Sequence, residues 1–158
     1  AAVSEAASSP APQAISMFPA LESAVAGRRF VLDAPWAMIP DNYTLRAVNT
    51  IQHVPDVSAF RFSFAGDTAA LTLYLTDGDH LIIPVGLDET YRTTAYDGTW
   101  LAAKGKWFAN FGSFNLTLRL PTTGYWGNLR FTFPEDRLVC SVQTNIGTWD
   151  TLRGKAAE

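Results

Sequence analysis

Five stretches of this chain place apolar side chains at every second position. Phe60, Phe62 and Phe64 share one face of Ala59–Phe64, while Arg61 and Ser63 share the other. Leu71, Leu73 and Leu75 alternate with Thr72, Tyr74 and Thr76. Phe114, Leu116, Leu118 and Leu120 alternate with Asn115, Thr117 and Arg119. Leu129, Phe131 and Phe133 alternate with Asn128, Arg130 and Thr132, and Leu138, Cys140 and Val142 form the apolar side of Arg137–Thr144. A repeat of two puts successive side chains on opposite faces of an extended strand, one face buried and one wet. Weaker runs of the same kind are Arg28–Asp33, Leu81–Val85, Thr90–Thr94, Trp100–Trp107 and Thr148–Gly154.

Short connections with turn chemistry separate these runs. Ala65-Gly66-Asp67, Asp77-Gly78-Asp79, Thr123-Gly124 and Pro134-Glu135-Asp136 supply the left-handed or proline positions that tight hairpins need. Successive hairpins make an antiparallel meander. No helical run of crossover length lies between strands, which argues against a parallel α/β sheet. Eight to ten such strands bury their edges best by closing on themselves. The predicted fold is therefore all-β: an antiparallel up-and-down barrel of lipocalin-like type, with a two-sheet sandwich as the alternative. With 158 residues, the chain is long enough to bury about 70% of its unfolded surface without disulfides or metals.

Two segments depart from the pattern. Residues 1–14, AAVSEAASSPAPQA, hold one large apolar side chain and read as a linker or disordered tail, leaving 15–158 as a single barrel domain. Pro19 suits the first turn of a helix and Gly27 the position just past its end, so one short helix is predicted over Pro19–Ala26. Ala34–Asp56 holds three prolines and no clean period. It reads as a long loop with a short strand near Tyr43–Val48, either capping the barrel or lying over a ligand.

Composition and motifs narrow the chemistry. The net charge is −3, and the 12 Lys and Arg are scattered along the sequence, so no nucleic-acid partner is expected. No apolar stretch approaches the ~20 residues of a membrane-spanning helix. No G-x-S-x-G elbow, S-x-x-K pair or K-T-G triplet occurs. His53 and His80 are the only histidines, too few and too far apart to form an H-x-x-x-H pair. Neither a metal nor a cofactor is expected. Asp77, Asp79 and Asp88 read as turn residues. Cys140, the only cysteine, lies on an apolar strand face and reads as a buried, inert thiol. One cysteine also leaves the compartment open, with periplasmic or secreted slightly favoured. Asn42-Tyr43-Thr44 and Asn115-Leu116-Thr117 match glycosylation acceptors by chance.

The aromatic residues offer the candidate site. Gly105-Lys106-Trp107 and Gly147-Thr148-Trp149 resemble the G-x-W triplet of lipocalins, but the first falls mid-chain rather than on a first strand. Trp107 and Trp149 are therefore assigned to core or barrel-end packing. Tyr125 and Trp126, between Gly124 and Gly127, are placed at a hairpin tip, where large rings meet a partner surface or fold back over the barrel mouth.

The order of elements carries a family resemblance. PALESAVAGRRFVLD, AFRFSFAGDTAALTLYLTDGDHLIIPVGLDETYRTT, LAAKGKWFANFGSFNLTLRL and LRFTFPEDRLVCSVQT together resemble the C-terminal lipocalin-like barrel domain of bacterial β-lactamase-related, penicillin-binding-protein-like serine hydrolases. That resemblance covers roughly residues 19–145. It implies a non-catalytic accessory domain that packs on an upstream catalytic domain, or on a second subunit, and shapes substrate access. It also implies a parent serine hydrolase, with no catalytic residue in this chain; the placement of Tyr125 and Trp126 between two glycines makes them the expected contact residues. The alternative is a free-standing binder of a small apolar ligand. Such a binder should show a cavity of ~300 Å³ or more, lined by apolar side chains with a few polar groups. The many inward Phe and Leu argue instead for a filled interior. A carbohydrate-binding module would need coplanar exposed Trp rings, which the dispersed Trp positions do not suggest.

Overall fold

The computed structural model describes residues 18–38, 55–96, 99–121, 124–145 and 149–157. Helix α1 spans Pro19–Val25. Ten strands follow: β1 Arg29–Trp36, β2 Val57–Ala65, β3 Thr68–Leu75, β4 His80–Gly86, β5 Arg92–Tyr96, β6 Thr99–Phe108, β7 Ser113–Leu120, β8 Tyr125–Thr132, β9 Arg137–Thr144 and β10 Trp149–Ala156. They form one sheet in the order β4-β3-β2-β1-β10-β9-β8-β7-β6-β5. A parallel bridge between Gly86 of β4 and Lys104 of β6 closes a ring of nine strands, with β5 beside the seam. This is the predicted lipocalin-like barrel with one short helix.

The local reasons follow the sequence. Gly66, Gly78 and Gly124 take positive φ in the hairpins, where a Cβ would be strained. Gly27, with φ +76°, ends α1. Its N–H donates to the Phe62 carbonyl at 2.8 Å, which fixes the helix to β2. Pro84 interrupts β4, yet on its far side β4 is bridged only at Gly86. A strand with one largely free edge tolerates a missing N–H. Ala34, Pro35 and Trp36, assigned to the long loop, belong instead to β1. Apart from Ala37, Met38, Pro55 and Asp56, the rest of that loop lies outside the described residues, as do residues 1–14, His53 and Tyr43–Val48.

One end of the barrel is filled by aromatic rings from opposite walls. Phe62 of β2 meets Phe114 of β7 at 5.7 Å, Phe131 of β8 at 5.0 Å and Phe133 at 5.8 Å, each edge to face. Phe60 meets Phe131 at 5.4 Å, and Trp107 meets Phe114 at 5.1 Å. Edge-to-face pairs add about 0.5–1.5 kcal/mol each beyond burial. Gly105 makes the packing possible. It points inward on β6 opposite Leu116, and a Cβ there would strike the Phe114 ring.

Ionic contacts hold the seam. The Arg92 guanidinium donates to both Asp88 carboxylate oxygens, at 3.0 and 3.1 Å, while the Thr90 hydroxyl donates to Asp88 Oδ1 at 2.6 Å. Gly86 lies where a Cβ would strike the Thr90 carbonyl, so the β4–β5 turn folds directly onto the strand. The Arg92 bond first, then the Thr90 hydroxyl, hold the Asp88 carboxyl well below the usual carboxylate range.

Two outcomes are expected. Gly105→Ala overpacks the ring cluster and lowers unfolding free energy by about 1–3 kcal/mol in urea titrations. The folded pKa of Asp88 lies below its unfolded value of about 3.9. The stabilisation is therefore complete above that value and fades as pH falls towards the folded pKa. Asp88→Asn should then be less stable than the parent at pH 6, with the gap closing below about pH 4, as read by Tm across pH.

Candidate functional site

The barrel has a gap where its first and last strands meet. β1 pairs with β10 at Phe30, Val31 and Leu32, opposite Ala156, Lys155 and Gly154. Gly154 lets the strands come this close, because a Cβ there would sit 2.6 Å from the Val31 carbonyl oxygen. Beyond Leu32 no β1–β10 pair is registered. On the other side of β1, the register with β2 shifts between Val31 and Trp36, so that Leu32–Pro35 stand against Ser58 alone. Proline lacks the ladder donor and settles at such bulges. Here the bulge carries Trp36 and Met38 away from β10.

A cavity of about 360 Å³ lies in this splay. Trp36, Met38, Val142 and Leu152 supply apolar walls, while Thr144 and Asp150 supply polar groups. Trp36 is buried and packs on Phe60 at 6.1 Å, on the way to the ring cluster. Val142 and Met38 are buried, Leu152 is half-buried and Asp150 is exposed. The cavity is thus lined from inside the barrel and opens sideways beside β10.

Tyr125 and Trp126 do not sit on a hairpin tip. Gly124 has already turned the chain, its N–H donating to the Leu120 carbonyl at 3.1 Å, so both residues begin β8. The Tyr125 ring is buried, and its hydroxyl donates to the Met38 carbonyl at 2.9 Å. This bond ties β8 to the cavity wall. Trp126 is half-buried on the opposite face. Its N–H donates to Asn145 Oδ1 at 3.2 Å, and Asn145 Nδ2 donates to the Gly124 carbonyl at 2.9 Å.

The other singled-out residues separate in the same way. Trp107 is in the core as expected, but Trp149 is 71% exposed, because its partner Gln143 belongs to the outward row of β9. His80 is exposed beside Tyr74. The Asp79 N–H donates to Asp77 Oδ1 at 2.9 Å, a local turn bond. Among the described residues, no three His, Cys, Asp or Glu side chains group as metal ligands. No described helix is long and apolar enough to cross a membrane. Cys140 is fully buried between Phe131 and Leu152, and burial pushes its thiol far above the ordinary value.

No protein-family model matches the sequence, and no curated protein matches it. Solved structures do match in fold. A secretory abundant heat soluble protein from Ramazzottius varieornatus superposes with a TM-score of 0.61 at 12% identity, over 84% of this chain and 94% of that one. A brain fatty-acid-binding protein from Drosophila melanogaster gives 0.56 at 15% identity, over 84% and 99%. A Schistosoma mansoni fatty-acid-binding protein in complex with arachidonic acid gives 0.60 at 11% identity, over 87% and 98%.

These findings correct the hydrolase reading. The matching barrels are whole fatty-acid-binding and heat-soluble proteins, not C-terminal domains of β-lactamase-related enzymes. The accessory-domain function loses its support with it. The reason is physical: the helix, the alternating strands and the glycine turns behind that resemblance are what any meandering barrel of this size requires.

Burial makes the thiol a useful probe of intactness. Cys140 should resist Ellman's reagent in the folded protein at pH 8 and react fully in 6 M guanidinium, with a native rate at least a hundredfold slower.

Proposed function

We propose that this chain binds a small, largely apolar ligand in the cavity between β1 and β10. The observation that carries the reading is the cavity itself. Its volume of about 360 Å³ falls in the ~300–1,000 Å³ range of small-molecule sites. Its walls have the composition such sites use: six apolar side chains with two hydroxyls and a carboxylate. The matching folds add support, since fatty-acid-binding proteins recur among them and one holds arachidonic acid.

The ring cluster fixes how the ligand would lie. With Phe60, Phe62, Phe114 and Phe131 fully buried at one end, an apolar tail stops against Trp36 and does not traverse the barrel. Its polar end faces Thr144 and Asp150 at the opening. Tyr125 then acts as a positioning residue, holding Met38 in the wall through its hydroxyl. Apolar burial at ~25 cal/mol per Å² supplies the affinity, and the two polar groups set the orientation.

Displacement of an environment-sensitive fluorophore such as anilinonaphthalene sulfonate by C8–C16 alcohols and acids tests the reading. Leu152→Trp, at the half-buried rim, should fill the opening and weaken displacement at least tenfold while leaving far-UV circular dichroism unchanged. Failure of every chain length to displace the probe would sink the assignment, and so would undiminished binding by a folded Leu152→Trp variant.

A further inference from the structure

A second concavity lies on the outer face of β6–β10 and meets the lining of the ligand opening at Val142. It measures about 940 Å³. Cross-strand register builds its floor from two adjacent rows. Lys106, Asn115, Arg130 and Ser141 stand side by side across β6, β7, β8 and β9. The next row runs Lys104, Thr117, Asn128, Gln143 and, on β10, Trp149. Strands sit about 4.8 Å apart, so the longer row spans about 19 Å. That is the reach of a short polymer segment rather than of a single small molecule.

The cations are set in place before any ligand arrives. Lys104 Nζ lies 4.8 Å from the Tyr91 ring, with Arg119 5.6 Å from the same ring. Lys106 lies 5.8 Å from the Phe108 ring and Arg130 5.5 Å from that of Phe111. A cation over a ring face loses some of its freedom in the free protein, which reduces the ordering cost of binding. The acid lining the concavity is Glu89, 3.8 Å from Lys106 and 81% exposed at its side chain, a contact that solvent screens. A chain of net charge −3 therefore carries a local cluster of four cations.

Two observations choose among polyanions. First, the rings of Tyr91, Phe108 and Phe111 already carry cations, so they are not a row of free stacking platforms for bases. Trp149 is exposed at the wall, and among the described residues no cation stacks on it. Second, the floor between the cations is made of amides and hydroxyls, which bond to sugar hydroxyls.

We propose that this groove binds an acidic glycan, a sugar chain carrying carboxylates or sulfates. The acidic groups meet Lys104, Lys106 and Arg130, with Arg119 beside them across the Tyr91 ring. Hydroxyls meet Thr117, Asn128 and Gln143, and one sugar ring lies on Trp149. The proposal does not depend on the ligand-opening reading.

Isothermal titration at 50 mM salt with hexagalacturonate and with a heparin-derived hexasaccharide tests it, and the stronger of the two identifies carboxylate or sulfate as the recognised group. Neutral cellohexaose, an oligothymidylate of matched charge and phosphatidylserine vesicles are the comparison arms. The expected result is binding of at least one acidic sugar that weakens as salt rises. Lys106→Ala with Arg130→Ala should cut it at least tenfold, and Trp149→Ala several-fold with loss of the tryptophan fluorescence change. All three positions are exposed, so these variants should keep the parent's circular dichroism. Absence of binding by both acidic sugars would overturn the proposal. So would affinity unchanged in the double variant, or tighter binding of cellohexaose, the oligothymidylate or the vesicles.

Discussion

The structure depends on contact between rings that reach the barrel axis from opposite walls. Phe62 comes from β2 and meets Phe114 and Phe131 from β7 and β8. These strands are far apart around the sheet and distant in sequence, so the contact sets the barrel's width at that end. Close-packed interiors do not stretch to admit a misfit. The bare backbone of Gly105 is part of the same contact, because the Phe114 ring occupies the space that a side chain there would take. A wall that lacks one side chain thus accommodates a ring from its own neighbouring strand.

Fixing one end determines where the barrel can be open. The sheet is pinned at the ring cluster and closed at β4–β6 by Gly86 and the Asp88–Arg92 pair. The β1–β10 junction is left to absorb the mismatch. It does so through the bulge at Leu32–Pro35, and the splay beyond it makes the cavity. Candidate binding space and barrel geometry are therefore one problem. The residues that wall the opening lie where β1 leaves its pairing with β10.

Most of the fold was legible because alternation is a strong local signal. Ser113–Leu120 and Arg137–Thr144 were read as strands with the bounds they have, and Gly27, Gly66, Gly78 and Gly124 mark turns. The site was far less legible. Trp36 and Met38 lie in a proline-rich stretch with no period, so nothing local placed them inside. Tyr125 looked exposed because glycines flank it, yet the hydroxyl that buries it bonds to Met38, 87 positions away. The grouping of the cations was hidden for a related reason. Lys104, Lys106, Arg119 and Arg130 are spread over 27 positions, and only the β6–β7–β8 register makes them neighbours. The family resemblance failed because it rested on elements common to the architecture.

Odd and even positions of β7 answer to different partners. Phe114, Leu116 and Leu118 serve the interior, while Asn115, Thr117 and Arg119 form the exterior rows. A single peptide layer divides the two. Exchanging an outward side chain leaves the inward packing unchanged, and the reverse holds where the inner volume is kept. One stretch of gene can thus vary the outer surface without trading it against the core.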